Sequence, residues 1–187
     1  MGRKIDKMKC EPKTIFVSQQ GQELHPESGC GVASFLMLLK YINFKPLPSW
    51  NNLCGELRLD LPPIEKGYSK NDPEIGLYPE DIFRFVVKEN LLFRMHFFDN
   101  EWQESLDNGP IMVLLHGVLN EFPDESHWVV LTSFDGQIFS YLDPWSKDDE
   151  EITKMISFAE FKKYYTGVAC QLLMSQQVDS QLVDEKE

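Results

Sequence analysis

Cys30 stands between two glycines at the head of an apolar helical run, GCGVASFLMLLKY. A thiol at a helix N-terminus faces backbone N–H groups that lack intrahelical acceptors and the positive end of the macrodipole. Both favour thiolate over thiol. The flanking glycines are expected to leave the sulfur open to a substrate backbone. The competing role is that of a buried structural cysteine, since free cysteine is among the most buried residue types. Cys54 and Cys170, embedded in apolar runs, suit that role. Cys30 suits it poorly, because two glycines forgo packing there.

A thiolate nucleophile needs a base that also shuttles protons. Of four histidines, His25 lies in a polar loop beside Pro26. His96 alternates with Phe93, Phe97 and Phe98 as a half-exposed strand position would, and His116 ends an apolar run before Gly117. His127 differs from these. It opens an apolar strand, HWVVL, that a turn at Asp135-Gly136 connects to a second strand ending in Asp143-Pro144. With a two-residue turn, Phe134 would oppose Gln137 and His127 would face Pro144. With a three-residue loop that sets Gly136 at positive φ, Ser133 opposes Gln137, and His127 and Asp143 become direct cross-strand partners on one face. The second register is the expected one. A carboxylate beside an imidazole fixes its tautomer and stabilises the imidazolium, whereas the plainer alternative is a surface His–Asp pair at a strand end.

These residues need elements to position them. The apolar residues Val32, Ala33, Phe35, Leu36, Leu38 and Leu39 predict a helix over 30–41. Upstream, TIFVS (14–18) reads as a short strand. Residues 44–79, rich in proline, read as a long connection with one short helix near 53–59. Pro79, followed by Glu80 and Asp81, starts a helix through Val86. Strands are expected over 92–98, 111–115, 127–134, 137–142 and 168–174, with helices over 101–107 and 158–165. The tally is α+β: helices first, then a mainly antiparallel sheet. Residues 1–13 are read as a flexible N-terminus, 14–174 as one domain, and 175–187 as a disordered acidic tail.

The chain of 187 residues suits one domain, and 42% hydrophobic residues suffice for a single core. The net charge of −12 argues against nucleic acid or an anionic membrane as partner. Four cysteines without a CxxC pair give no zinc or thioredoxin signature, and reduced thiols are the simpler state. No apolar segment reads as a secretory signal or a membrane span, so a cytoplasmic location is expected. Nothing in the sequence specifies an oligomeric state.

The segments GCGVASFLMLLKY, DNGPIMVLLHG, HWVVLTSFDGQIFSYLDP and ISFAEFKKYY, in this order, resemble the peptidase C39-like family from about Thr14 to Leu173. That resemblance implies a papain-like cysteine peptidase fold in which the N-terminal helix bears the nucleophile and packs on the sheet. It implies Cys30 as nucleophile, His127 as general base and acid, and Asp143 as the orienter of His127. The family also places a glutamine ahead of the cysteine as an oxyanion-hole donor. Gln19, Gln20 and Gln22 are available, and Gln19, in FVSQ, matches best; the second donor would be the Cys30 backbone N–H. No membrane domain follows, which gives the expectation of a peptidase not fused to an exporter. The implied substrate is a protein or peptide, with no cofactor and no metal. Two other uses of the same scaffold are deamidation of protein glutamine and non-catalytic peptide binding.

Overall fold

The computed structural model describes residues 11–59, 61, 76–95, 97, 101–117, 125–147 and 151–174. The expectations placed on residues 1–10, on His96 and on the 175–187 tail lie outside these. The elements are α1 (Pro12–Ile15), α2 (Cys30–Tyr41), α3 (Trp50–Glu56), α4 (Pro79–Lys88), β1 (Phe93–Arg94), α5 (Trp102–Asp107), β2 (Ile111–His116), β3 (Ser126–Phe134), β4 (Ile138–Leu142), β5 (Thr153–Ser157), α6 (Phe158–Tyr164) and β6 (Tyr165–Leu172).

Among the described residues the six strands form one sheet in the order β1-β6-β2-β3-β4-β5, and every pairing is antiparallel. Alternation along the strands splits the core in two. Met112, Trp128, Val130, Leu142 and Cys170 join the apolar residues of α1 to α4. Val113, Leu115, Val129, Leu131 and Phe139 join α5 and α6. Central strand β2 is therefore buried on both faces, as a continuous apolar run requires. On the second face Trp102 anchors the cluster, meeting Phe139, Phe161 and Tyr165 edge-on at 5.7, 5.4 and 5.5 Å. No helix among the described residues is long and apolar enough to cross a membrane.

Helix α2 matches its expected bounds and is buried from Cys30 to Leu39. An apolar surface all round is what a central helix needs, and here α1, α3 and the sheet enclose it. Helix α4 also starts where expected, at Pro79, with Glu80 and Asp81 in its first turn.

Four readings change. The expected strand over 14–18 is α1 and an extended exit from it. Pro12 presets the first helical φ, and the Thr14 N–H and Oγ1–H both donate to the Glu11 carbonyl, at 3.0 and 2.8 Å. That local bonding overrides the β preference of Thr and Ile. Helix α3 begins earlier than expected, at Trp50, because the Ser49 hydroxyl accepts the Asn52 N–H and caps it. Of the strand expected over 92–98, Phe93–Arg94 is the part that is strand among the described residues, positions 96 and 98 lying outside them. Strand β5 was absent from the sequence reading, and α6 follows it without a loop.

The β3–β4 register also differs from the expected one. Phe134 pairs with Phe139 and Ser133 with Ser140, and after an irregularity at Thr132, Leu131 pairs with Tyr141 and Val130 with Leu142. The loop is longer than three residues because Asp135 Oδ1 accepts the N–H groups of Gln137 and Ile138, at 2.9 and 2.8 Å. This local acceptor builds a wider turn. Gly136 does lie at positive φ, +96°.

Candidate active site

The first turn of α2 is built around tight contacts. A Cβ at Gly31 would sit 2.3 Å from the Leu77 Cβ, and one at Gly29 would sit 2.7 Å from both the His25 carbonyl and the Trp50 ring. The flanking glycines thus serve close packing, and the expectation that they forgo packing there is corrected. Trp50 and Trp128 are pinned as they close in: their ring N–H groups donate to the carbonyls of Leu24 and Leu77, at 2.8 and 2.9 Å. Cys30 is left 8% exposed.

The thiol lies within electrostatic reach of the His127 ring and of the backbone N–H groups of Trp128 and Gly31. Burial alone would raise its pKa. His127 and the two backbone N–H groups outweigh burial and hold the thiol below its ordinary value. His127 is buried, and burial would by itself disfavour its charged form. The bond to Asp143 and the interaction with Cys30 prevail and raise its pKa well above the ordinary imidazole value. Each member of the pair thus favours the charged form of the other.

Asp143 lies just past the end of β4, 3% exposed. Its Oδ1 accepts His127 Nε2–H at 2.7 Å and the Trp145 backbone N–H at 2.9 Å, and its Oδ2 accepts Lys154 Nζ at 2.7 Å. Burial opposes ionisation of this carboxyl. The His127 and Lys154 contacts and the Trp145 N–H overcome that and hold it well below the usual carboxylate range. Because Nε2 is committed to Asp143, Nδ1 is the ring nitrogen left for the sulfur. The structure therefore brings Cys30, His127 and Asp143 together, although His127 and Asp143 are not the direct cross-strand partners that a three-residue loop would have made them.

Gln19 is 1% exposed, and its backbone N–H donates to the Pro144 carbonyl at 2.9 Å, beside Asp143. Its side-chain Nε2 donates to the carbonyls of Pro26 and Glu27, at 2.9 and 3.4 Å, in the loop that leads into Cys30. Gln20 Nε2 instead donates to the Trp145 carbonyl, and Gln22 Nε2 to the Ser18 carbonyl at 2.9 Å. Of the other histidines, His116 is exposed and its Nδ1 lies 3.2 Å from Ser126 Oγ. His25 sits at a φ of +52° in the loop before Cys30.

The sequence reading missed Lys154 and the packing role of Trp50 and Leu77. Residues 153–157, Thr-Lys-Met-Ile-Ser, show no polar–apolar alternation, so no local pattern marked the strand that brings in Lys154. Leu77 approaches Gly31 through tertiary packing alone, and no local pattern encodes that.

Comparison with solved structures bears on the fold. A Bacillus anthracis protein assigned as a C39-like peptidase superposes with a TM-score of 0.62 at 19% identity, covering 86% of this chain and 95% of that one. A double-glycine-motif protease from an AMS/PCAT transporter, solved in complex with the leader peptide, gives 0.50 at 20% identity, over 85% and 91%. The peptidase domain of Streptococcus ComA, a bifunctional ABC transporter of a quorum-sensing pathway, gives 0.53 at 18%, over 78% and 90%. The architecture is that of C39 peptidase domains, a papain-like fold of helices on an antiparallel sheet. No curated protein sequence matches the chain. Residues 14–173 match the Peptidase C39 like family, and a match of that length makes the chain a member of that family.

Proposed function

We propose that the protein is a cysteine hydrolase that cleaves peptide bonds, with Cys30 as nucleophile, His127 as general base and acid, and Asp143 as the group that orients and charges His127. The observation that carries this reading is the His127 Nε2–H bond to Asp143 Oδ1 at 2.7 Å, with the Cys30 thiol buried close enough to the same ring for the two to shift each other's ionisation. In the resting state the proton resides on the imidazole, leaving a thiolate at the head of α2. The sulfur attacks the substrate carbonyl carbon, and the carbonyl π electrons move to oxygen. His127 Nδ1–H then protonates the leaving amine as the C–N bond breaks, which leaves a thioester. Water, deprotonated by the same nitrogen, attacks the thioester carbonyl, the sulfur leaves as thiolate and the carboxylic product departs, which restores the thiolate–imidazolium pair.

The oxyanion needs two donors at the sulfur. Cys30, as the first residue of α2, has a backbone N–H without an intrahelical acceptor. The second donor we assign to the Gln19 amide. Its 3.4 Å contact with the Glu27 carbonyl is long, so that N–H exchanges easily for an oxyanion. Gln19→Ala is expected to lower turnover by about 10²–10³. Iodoacetamide labelling of Cys30 should continue at the wild-type rate, because alkylation forms no oxyanion. Gln20→Ala, which removes only a bond to the Trp145 carbonyl, should leave turnover near wild type. The reverse pattern would move the oxyanion role to Gln20.

A peptide substrate is favoured over an isolated amide because the related fold in the AMS/PCAT protease was solved with a leader peptide bound. Mass spectrometry of a proteome digest incubated with wild type and with Cys30→Ala tests the reading. New peptide termini dependent on Cys30 support it. A shift of about one dalton at glutamine, without new termini, would replace it with deamidation. Peptides retained unchanged by both proteins would replace it with a binding role.

A further inference from the structure

The carboxylate that orients His127 is held from two sides, and only one side belongs to the His127 relay. Oδ1 takes the His127 and Trp145 N–H groups, whereas Oδ2 is met by Lys154 Nζ at 2.7 Å. Lys154 comes from β5, the edge strand next to β4, where it pairs with Tyr141, two residues before Asp143. An ion pair between exposed groups contributes little, and the Lys154 side chain is 42% exposed. Its partner, however, is a carboxylate only 4% exposed. A buried carboxylate with one oxygen unmatched would carry a large desolvation cost and would turn about its Cβ–Cγ bond, a torsion with broad preferences.

We propose that Lys154 is a positioning residue of this site. It clamps the second oxygen of Asp143 so that the first stays aimed at His127 Nε2, and it balances the carboxylate charge that the imidazolium feels. The proposal rests on the hydrolase reading above. The groups facing Asp143 are His127 from β3, Lys154 from β5, the Trp145 N–H, and Tyr141 from β4. The Tyr141 phenol is pushed up to about 12 by burial and by the charges of Asp143 and Glu160, so it stays neutral throughout the working range. The Cys30 thiol lies beyond His127.

Removing the ammonium has a definite electrostatic sign. The thiolate loses a favourable cation, so the acidic limb of Cys30 reactivity should move to higher pH. The imidazolium loses a repelling cation, so its deprotonation should also move to higher pH. A lysine that only decorated an edge strand would move neither limb.

The test is the pH profile of Cys30 alkylation by iodoacetamide in wild type, Lys154→Met, Lys154→Gln and Lys154→Arg, with folding checked by thermal melting. Lys154 lies on an edge strand with a half-exposed stem, and the Gln variant is run beside Met so that one unfolded protein does not end the experiment. Both neutral variants are expected to shift the acidic limb up by about half a pH unit, the partial exposure of Lys154 having damped a larger effect. Peptide turnover should fall about threefold to tenfold in both, and Lys154→Arg should restore limb and turnover to within about twofold. Folded neutral variants with profiles superimposed on wild type would overturn the proposal, as would an Arg variant shifted as far as Met. The hydrolase reading fails separately, if wild-type Cys30 reacts no faster than Cys54 and Cys170.

Discussion

At pH 6, iodoacetamide is expected to label Cys30 about a hundredfold faster than Cys54 or Cys170 and about tenfold faster than Cys10. An ordinary thiol with a pKa near 8.5 is only about 0.3% thiolate at that pH. Cys30 is held below the ordinary value by His127 and two backbone N–H groups, against the opposing effect of its burial. Cys170 is displaced the other way, to about 12, by burial with no compensating partner. Part of the advantage is returned, because a more acidic thiol is a weaker nucleophile at a Brønsted slope of about 0.4–0.5. Access then widens the gap, since Cys54 and Cys170 are fully buried and Cys30 is 8% exposed. Because the Cys30 value is depressed, its reaction should persist well below pH 8.5 and fade only as pH drops through the lowered value. His127→Ala removes the cation and leaves burial as the largest influence, so labelling of Cys30 at pH 6 should collapse to the rate of the other buried thiols. Peptide mapping after timed quenching reads all four rates. Equal rates in the wild type would remove Cys30 from the nucleophile role.

The elements that carry this chemistry were legible where local sequence decides them. Helix α2 needed only its apolar run, and α4 only Pro79 and two acids in the first turn. The double burial of β2 was written in an unbroken apolar stretch. What escaped depended on geometry that residue types constrain weakly. The turn at Asp135-Gly136 was expected to span three residues, and Gly136 does take the positive φ that such a loop needs. One side-chain oxygen of Asp135 gathers two backbone N–H groups, however, and lengthens the loop, while an irregularity at Thr132 shifts the register again. The His127–Asp143 bond survives because Asp143 sits beyond the last paired residue of β4. There the chain is free of the ladder and can turn its carboxylate toward Nε2. The pairing argument thus reached the right contact through the wrong register. The role of the glycines around Cys30 was misread for a related reason: the groups they accommodate, Leu77 and Trp50, are distant in sequence.

Replacing Asp143 should give the clearest separation between charge and shape at this site. All three partners of its carboxylate are donors: His127 Nε2–H, the Trp145 N–H and Lys154 Nζ. Asparagine preserves the volume but sets an NH₂ group against one of them. Lys154, half exposed, can turn into solvent at little cost, so the bonds to His127 and Trp145 persist while the negative charge is lost. The imidazolium then keeps only the Cys30 thiolate as counter-ion in a buried position, and its pKa falls from the raised value. The thiolate–imidazolium pair gives way to neutral thiol and imidazole. Acylation in Asp143→Asn is therefore expected to slow by about 10³. Asp143→Ala also leaves Nε2–H unpaired in a residue only 4% exposed, and the ring loses its fixed tautomer. We expect a loss of about 10⁴ together with a lower melting temperature. The sign of the pH dependence follows from both partners. The Asp143 pKa is depressed in the fold, so its contribution is present above about pH 4 and lost as pH falls through the folded value. The His127 pKa is raised, so its contribution is complete below about pH 6.5 and is lost as pH rises through the folded value. The melting-temperature gap between wild type and Asp143→Ala should accordingly be widest from about pH 4 to 6.5 and shrink on either side. Single-turnover acylation by an activated ester, measured beside thermal melts across pH, checks both expectations. An alanine variant that acylates at the wild-type rate, with a melting gap independent of pH, would show that Asp143 neither orients nor charges His127.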